Sequence, residues 1–327
     1  MLATTGPDDE DAQAASLRPA AARYGERVEA IMPLFVLVAV AGALAQRHPR
    51  ADRLRDVLWW GVLWISSPLV IAITVLTIDV ARELVAALAV AVLSSWLVVA
   101  AAAAYGRAVG RTPAERGALA LAGGFGNTAS AGYPLAHLAF GPAGLPLAVL
   151  YDKLQFLVPP LGVSTVIARL HGSAGPERFV RSPRAALLVN PPLAAAAVAL
   201  ALRGAGVDAT GLDGVATAAA FTGGAIGFVL LGLSLPLEPV RHDGDQLVRA
   251  LGAAAIRLGG GPLVLYLTSR ATGVDVPGVF FLLAGMPSAF HLMTLARVYD
   301  VSPRLVRLLV VGTTVLSVAC VTLASSF

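Results

Sequence analysis

From residue 30 onward, long apolar stretches alternate with short polar connections. A helix that crosses the hydrocarbon core of a bilayer needs about 20 mainly apolar residues, and ten runs approach that length. They extend from Ala30 to Gln46, Val57 to Leu76, Leu84 to Tyr105, Gly117 to Phe140, Gly144 to Ile167, Ala185 to Leu202, Gly214 to Leu235, Leu247 to Leu267, Val276 to Leu295 and Leu305 to Leu323. The pattern predicts an all-α membrane protein with ten transmembrane helices. Residues 1–29 stand apart: Asp8, Asp9, Glu10 and Asp11 precede a mixed Ala/Arg stretch without an apolar core. That segment reads as a disordered, solvated tail, and it lacks the basic start and apolar core of a signal peptide.

Composition agrees with the pattern. Of 327 residues, 57% are hydrophobic and 13% charged, and the mean hydropathy is +0.76, outside the balance of a soluble domain. The net charge of +4 is carried by arginines scattered over the connections, with Lys153 the only lysine. Scattered arginines form no basic face for nucleic acid, and they report topology instead. Connections one, three, five, seven and nine hold sixteen: Arg47, Arg50, Arg53, Arg55, Arg107, Arg111, Arg116, Arg169, Arg178, Arg181, Arg184, Arg241, Arg249, Arg297, Arg304 and Arg307. The opposite connections hold three, Arg82, Arg203 and Arg270. Because cytoplasmic loops retain positive charge, both termini are expected outside the cytoplasm, in a multi-pass protein of the cell (inner or plasma) membrane. The single cysteine, Cys320, allows neither a disulfide framework nor a cysteine metal site.

Ten spans divide into two sets of five, residues 30–170 and 171–327, and an odd number per set makes the second copy insert upside down. Gly132-Tyr133-Pro134-Leu135-Ala136-His137 in the fourth span matches Gly285-Met286-Pro287-Ser288-Ala289, followed by Phe290 and His291, in the ninth, 153 residues later. Proline removes a helical hydrogen bond and glycine loosens the helix, so both spans are expected to break. Irregular backbone at that depth is tolerated where it lines a polar cavity.

The residues around these breaks carry the candidate chemistry. Gly123-Gly124-Phe125-Gly126-Asn127-Thr128 offers close approach together with amide and hydroxyl groups. In a continuous helix Asn127 would share a face with Pro134, seven residues on; it is either a ligand group or an interhelical packing bond. Asp152 lies within the fifth span, where an ionisable group is costly, and it either binds H⁺ or Na⁺ or makes a structural bond. Its neighbour Lys153 points about 100° away on a helix, so each is expected to have its own partner. Arg257, within the eighth span, either meets a carboxylate or snorkels to the interface. His137 reads as interfacial, and the clusters Gly223-Gly224-Gly227 and Gly259-Gly260-Gly261 as close helix packing.

The segment Asn127-Thr128-Ala129-Ser130-Ala131-Gly132-Tyr133-Pro134-Leu135 resembles the N-T-x-x-x-G-x-P-L segment of the auxin efflux carrier family, which includes plant auxin exporters and bacterial malate and malonate permeases. Leu150-Tyr151-Asp152, Asn190-Pro191-Pro192, Leu231-Gly232-Leu233-Ser234-Leu235, Pro287, Ala296-Arg297-Val298-Tyr299 and Thr314-Val315-Leu316-Ser317 are similar to further motifs of that family, in order. The resemblance spans residues 30–327 and extends to the superfamily of bile acid and sodium symporters. It implies an inverted five-plus-five, sodium/proton antiporter-like fold in which spans four and nine unwind and cross at their prolines. Spans one, two, six and seven would be scaffold; spans three to five and eight to ten would be the transport unit.

The implied activity is secondary transport of a small organic anion, a carboxylate such as auxin, malate or malonate, by alternating access. Asn127, Thr128, Gly132, Pro134, Pro287, Ser288 and His291 would bind the substrate, and Asp152 is the candidate for coupling to Na⁺ or H⁺. No catalytic residue, metal or cofactor is expected; the partners are the anion, the bilayer and, as an assembly, a second copy in a homodimer. Relatives often carry asparagine where this chain has His291, and histidine titrates near physiological pH. The expectation is therefore an anion affinity that varies between about pH 5 and 8.

Two other classes compete. An intramembrane enzyme would need a motif such as His-Glu-x-x-His or Gly-x-Ser-x-Gly, and an ATP-driven pump a phosphate-binding loop; neither occurs. A symporter or antiporter of another solute, or a passive channel or sensor, is compatible with broken helices.

Overall fold

In the computed structural model, which describes residues 33–79, 81–157, 163–173, 191–207, 209–235 and 244–325, the apolar runs are helices. They are α1 (Pro33–Ala45), α2 (Ala51–Thr77), α3 (Arg82–Val109), α4 (Pro113–Gly124), α5 (Gly132–Phe140), α6 (Gly144–Leu157), α7 (Val163–His171), α8 (Pro191–Gly204), α9 (Asp213–Gly232), α10 (Gly244–Thr272), α11 (Gly278–Ala284), α12 (His291–Tyr299) and α13 (Pro303–Ser325). Five of them, α2, α3, α9, α10 and α13, are long and apolar enough to cross a membrane. Leu37, Leu44, Trp60, Ile65, Leu93 and Leu200 stand exposed on their surfaces. An apolar exterior of this extent suits lipid rather than water, and the chain is an all-helical protein of membrane type. The expected tail 1–29, Asn190 and the connection arginines Arg178, Arg181, Arg184 and Arg241 lie outside the described residues.

Two long helices carry one wide π turn each, Val62–Ser66 in α2 and Ile256–Gly260 in α10. Each turn is followed by a proline, Pro68 or Pro262. A proline ring collides with the carbonyl four residues earlier and has no N–H to give, so the helix widens there instead of breaking.

The helices associate in two sets. In one, α2 packs on α8 and α9, and α1 lies so close to α9 that a side-chain carbon at Gly232 would sit 1.9 Å from the Ala39 carbonyl oxygen. Phe35 and Phe228 stack at 4.4 Å between their ring centroids. The ends of these helices are capped across the set: Gln46 Nε2 donates to the Gly232 carbonyl at 2.6 Å, and Arg203 Nη1 to the Val75 carbonyl at 2.8 Å. In the other set α3 packs on α4, α6 and α10, and α13 on α4, α10 and α12. Asp245 and Arg249 of α10 pair at 2.8 Å, and Arg111 also donates to Asp245, pinning the start of α10 beside the start of α4. The contacts of α5 with α9 and of α6 with α2 join the two sets.

Candidate functional site

The fourth and ninth apolar runs are both interrupted. Thr112 caps α4, its hydroxyl accepting from the Glu115 amide at 3.1 Å, with Pro113 in the first turn. That helix stops at Gly124; seven non-helical residues follow before α5 begins at Gly132. In the second interruption α11 stops at Ala284 and α12 starts at His291. The two gaps run antiparallel and meet at Gly126 and Ser288. There the Asn127 N–H donates to the Pro287 carbonyl at 2.6 Å and the Ala289 N–H to the Phe125 carbonyl at 3.1 Å. Each gap thus supplies bonds the other lacks, which is what buried irregular backbone demands.

The remaining carbonyls at this junction are met by Arg257, from the π turn of α10. Its guanidinium is buried and donates to Gly124 O at 2.9 Å, to Met286 O at 3.1 Å and to Ala284 O. Gly124 and Ala284 end α4 and α11, where unpaired carbonyls and the negative ends of two helix dipoles converge. A planar guanidinium with five donors spans them as a point charge could not. Arg257 neither snorkels nor faces the cavity; it is an internal cap for both broken helices. Gly261 makes room, since a side-chain carbon there would lie 2.1 Å from Ala284 O.

Two expectations about the breaks are corrected. The crossing is at Gly126 and Ser288, not at both prolines: Pro287 is in the extended segment, but Pro134 is the third residue of α5. A proline in the first turn leaves no helical bond unmade, because those N–H groups have no intrahelical partner. The sequence match 153 residues apart therefore pairs residues with different local roles. Nor do Asn127 and Pro134 share a helix face, for no helix joins them.

Beside the crossing lies a cavity of about 190 Å³ between the two helix sets. Asn127, Thr128, Asp152 and His291 line it, as do Lys153 and Ser130. Trp59, Val62, Leu63, Pro192, Leu230 and Phe290 form its apolar wall. The others of the expected set do not line it. Gly132 packs on Leu283, and Pro134 on Gly224 of α9. The Ser288 hydroxyl points the other way, donating to Ala122 O at 2.6 Å, while its N–H donates to the Thr313 hydroxyl at 3.0 Å. The Pro287 carbonyl is spent on Asn127.

Within the cavity wall, Asp152 is almost fully buried and accepts from three donors. They are the Thr128 hydroxyl, the Tyr133 hydroxyl at 2.7 Å and Lys153 Nζ at 2.6 Å. The expectation that Asp152 and Lys153 need separate partners is overturned: the long lysine side chain bends back across the 100° between neighbours, its Nζ lying 5.9 Å from the centroid of the Tyr133 ring. Asn127 Nδ2 is buried with no hydrogen-bond partner among the described residues. An unmet buried donor costs free energy, and this one borders a cavity. Lys153 was missed from sequence; that it is the only lysine, at a depth where charge is costly, was the available signal.

The fold and site together define a helical membrane-type protein with a polar-walled cavity at a crossing of two broken helices. By sequence the chain matches no protein-family model and no curated protein.

Proposed function

We propose that the chain is a secondary carrier of a small organic anion, built of ten membrane spans in two inverted halves of five. The observation that carries the function is an unpartnered Asn127 Nδ2 donor together with the Lys153 ammonium, at a cavity whose polar side also holds Thr128, Ser130, Asp152 and His291. An unmet amide donor beside an ammonium suits a ligand that accepts, and the apolar side formed by Trp59, Val62, Leu63, Leu230 and Phe290 suits the organic part of a carboxylate. The resemblance to the auxin efflux carrier family supports the same reading.

Reciprocal bonds support the inverted arrangement. A shift of 157 residues carries Gln46 to Arg203 and Val75 to Gly232, so the two capping bonds exchange roles. The two main-chain bonds of the antiparallel crossing exchange under a different shift, of 162 residues, which carries Phe125 to Pro287 and Asn127 to Ala289. On this reading α1, α2, α8 and α9 are the scaffold and the remaining helices move, carrying the crossing between the two faces of the membrane. The arginine asymmetry puts both termini outside the cytoplasm.

Counterflow in proteoliposomes, with labelled monocarboxylates and dicarboxylates, tests the proposal. A carrier gives saturable uptake that is accelerated by unlabelled substrate inside. Flux that neither saturates nor responds to internal substrate makes the protein a channel, and conversion of the anion by the purified protein makes it an enzyme.

A further inference from the structure

The Asp152–Lys153 pair has a property that binding alone does not require. Without ligand the pair is neutral, and Lys153 donates to Asp152 from a side chain that is 22% exposed while Asp152 is 3% exposed. An anion entering the cavity and taking Lys153 would leave two negative groups for one cation in a buried site, and a buried charge without compensation is strongly disfavoured. We infer that the carrier is a proton–anion symporter, in which a monocarboxylate takes Lys153 and Asn127 while Asp152 gains one proton from water.

This inference rests on the reading of the cavity as an anion site and adds its coupling. The shell around Asp152 suits both states. Apart from Lys153 its partners are two hydroxyls, Thr128 and Tyr133, and a hydroxyl donates to a carboxylate yet accepts from a carboxylic acid. Protonation therefore strands no group, whereas an amide or guanidinium partner would be left facing another donor. Lys153, on a flexible four-carbon stem, moves between the two anions with little rearrangement. Among the described residues lining the cavity Lys153 is the one lysine or arginine, so a monocarboxylate is matched where the second charge of a dicarboxylate would be left uncompensated.

The other groups facing Asp152 are few. Tyr151 and Lys153 are its neighbours on α6, Tyr133 comes from α5, and His291 at the start of α12 lines the same cavity. The surfaces of α2, α3 and α11 packed on α6 bring it no charged side chain among the described residues. Among the described residues lining the cavity, His291 is the one imidazole, and it is the rival proton acceptor that the test must separate from Asp152.

The test is calorimetric binding of benzoate, ionised throughout, to the full chain in nanodiscs between pH 6 and 8. Two buffers of different ionisation enthalpy count the protons. Wild type is expected to take up about one proton per benzoate, with affinity falling about tenfold per pH unit as pH rises. Asp152→Asn is expected to bind with no proton uptake and a flat profile, His291→Asn to take up about one proton per benzoate whatever its affinity, and Lys153→Met to lose at least tenfold in affinity. Benzoate binding to wild type without proton uptake overturns the coupling, whatever the variants do, and leaves the carrier proposal standing. Loss of uptake in His291→Asn but not in Asp152→Asn also overturns it. Absence of benzoate binding at millimolar concentration at every pH, in wild type and Asp152→Asn alike, overturns the anion site itself.

Discussion

The Asn127 amide nitrogen lies 2.6 Å from the Pro287 carbonyl oxygen, so the two broken helices meet through main chain while the Asn127 side chain is left to the cavity. Proline cannot donate, but its carbonyl is a full acceptor. The backbone of Asn127 is thus structural, and its side-chain Nδ2 has no hydrogen-bond partner within the described residues. The two roles separate cleanly by mutation.

Asn127→Ala keeps the main-chain bond and deletes only the orphan donor. Removing an unmet buried donor costs the free protein little, whereas the bound anion loses a partner. The expected outcome is at least a tenfold loss of benzoate affinity with the melting temperature moved by less than about 2 °C, since tenfold is about 1.4 kcal/mol. Unchanged affinity in a destabilised variant would make Asn127 a packing residue.

Ser288→Ala should behave in the opposite way. Its hydroxyl bonds Ala122 O away from the cavity, so about 1 kcal/mol of stability is lost and anion affinity stays within twofold. An affinity loss without a change in melting temperature would put Ser288 in the site after all.

Arg257→Gln strands carbonyls at the ends of α4 and α11. Charge-assisted bonds in a buried place predict about 2–4 kcal/mol of destabilisation. Arg257→Lys is expected to recover only part of it, because one ammonium cannot reach all three acceptors. Thermal melts of the two variants decide this; equal stability of Arg257→Gln and wild type would remove the internal cap from the account.

Gly232→Val tests the α1–α9 contact. Any side-chain carbon there meets the Ala39 carbonyl, and backbone cannot yield as a flexible side chain can, so about 1–3 kcal/mol of overpacking follows. A melting temperature equal to wild type would mean that α1 is not held against α9.

Topology is tested by labelling. In a Cys320→Ser background, a cysteine placed at Ala143 should react with an impermeant external reagent, and one placed at Thr112 should be protected until the membrane is opened. The reverse pattern would invert the orientation inferred from the arginines.

Much of the architecture was legible along the chain because burial in lipid is a local demand: each span must be apolar over its own length. The runs now seen as α2, α3, α9, α10 and α13 follow from that alone. The breaks were also legible, since glycine and proline act on their own helix. What the residues could not state was who meets whom. Pro134 and Pro287 look alike in sequence, yet one opens a helix and the other lies in the crossing, because capping depends on where the preceding helix stops. Asp152 and Lys153 seem to diverge by helical geometry but are joined by a side chain long enough to bend back. Arg257 finds Gly124, 133 residues away, and Ser288 finds Ala122, 166 residues away. Apolar periodicity determines that a helix forms and that it seeks lipid; the partner of a buried polar group is chosen among all chain segments that packing brings within about 3 Å, and only the tertiary structure makes that choice.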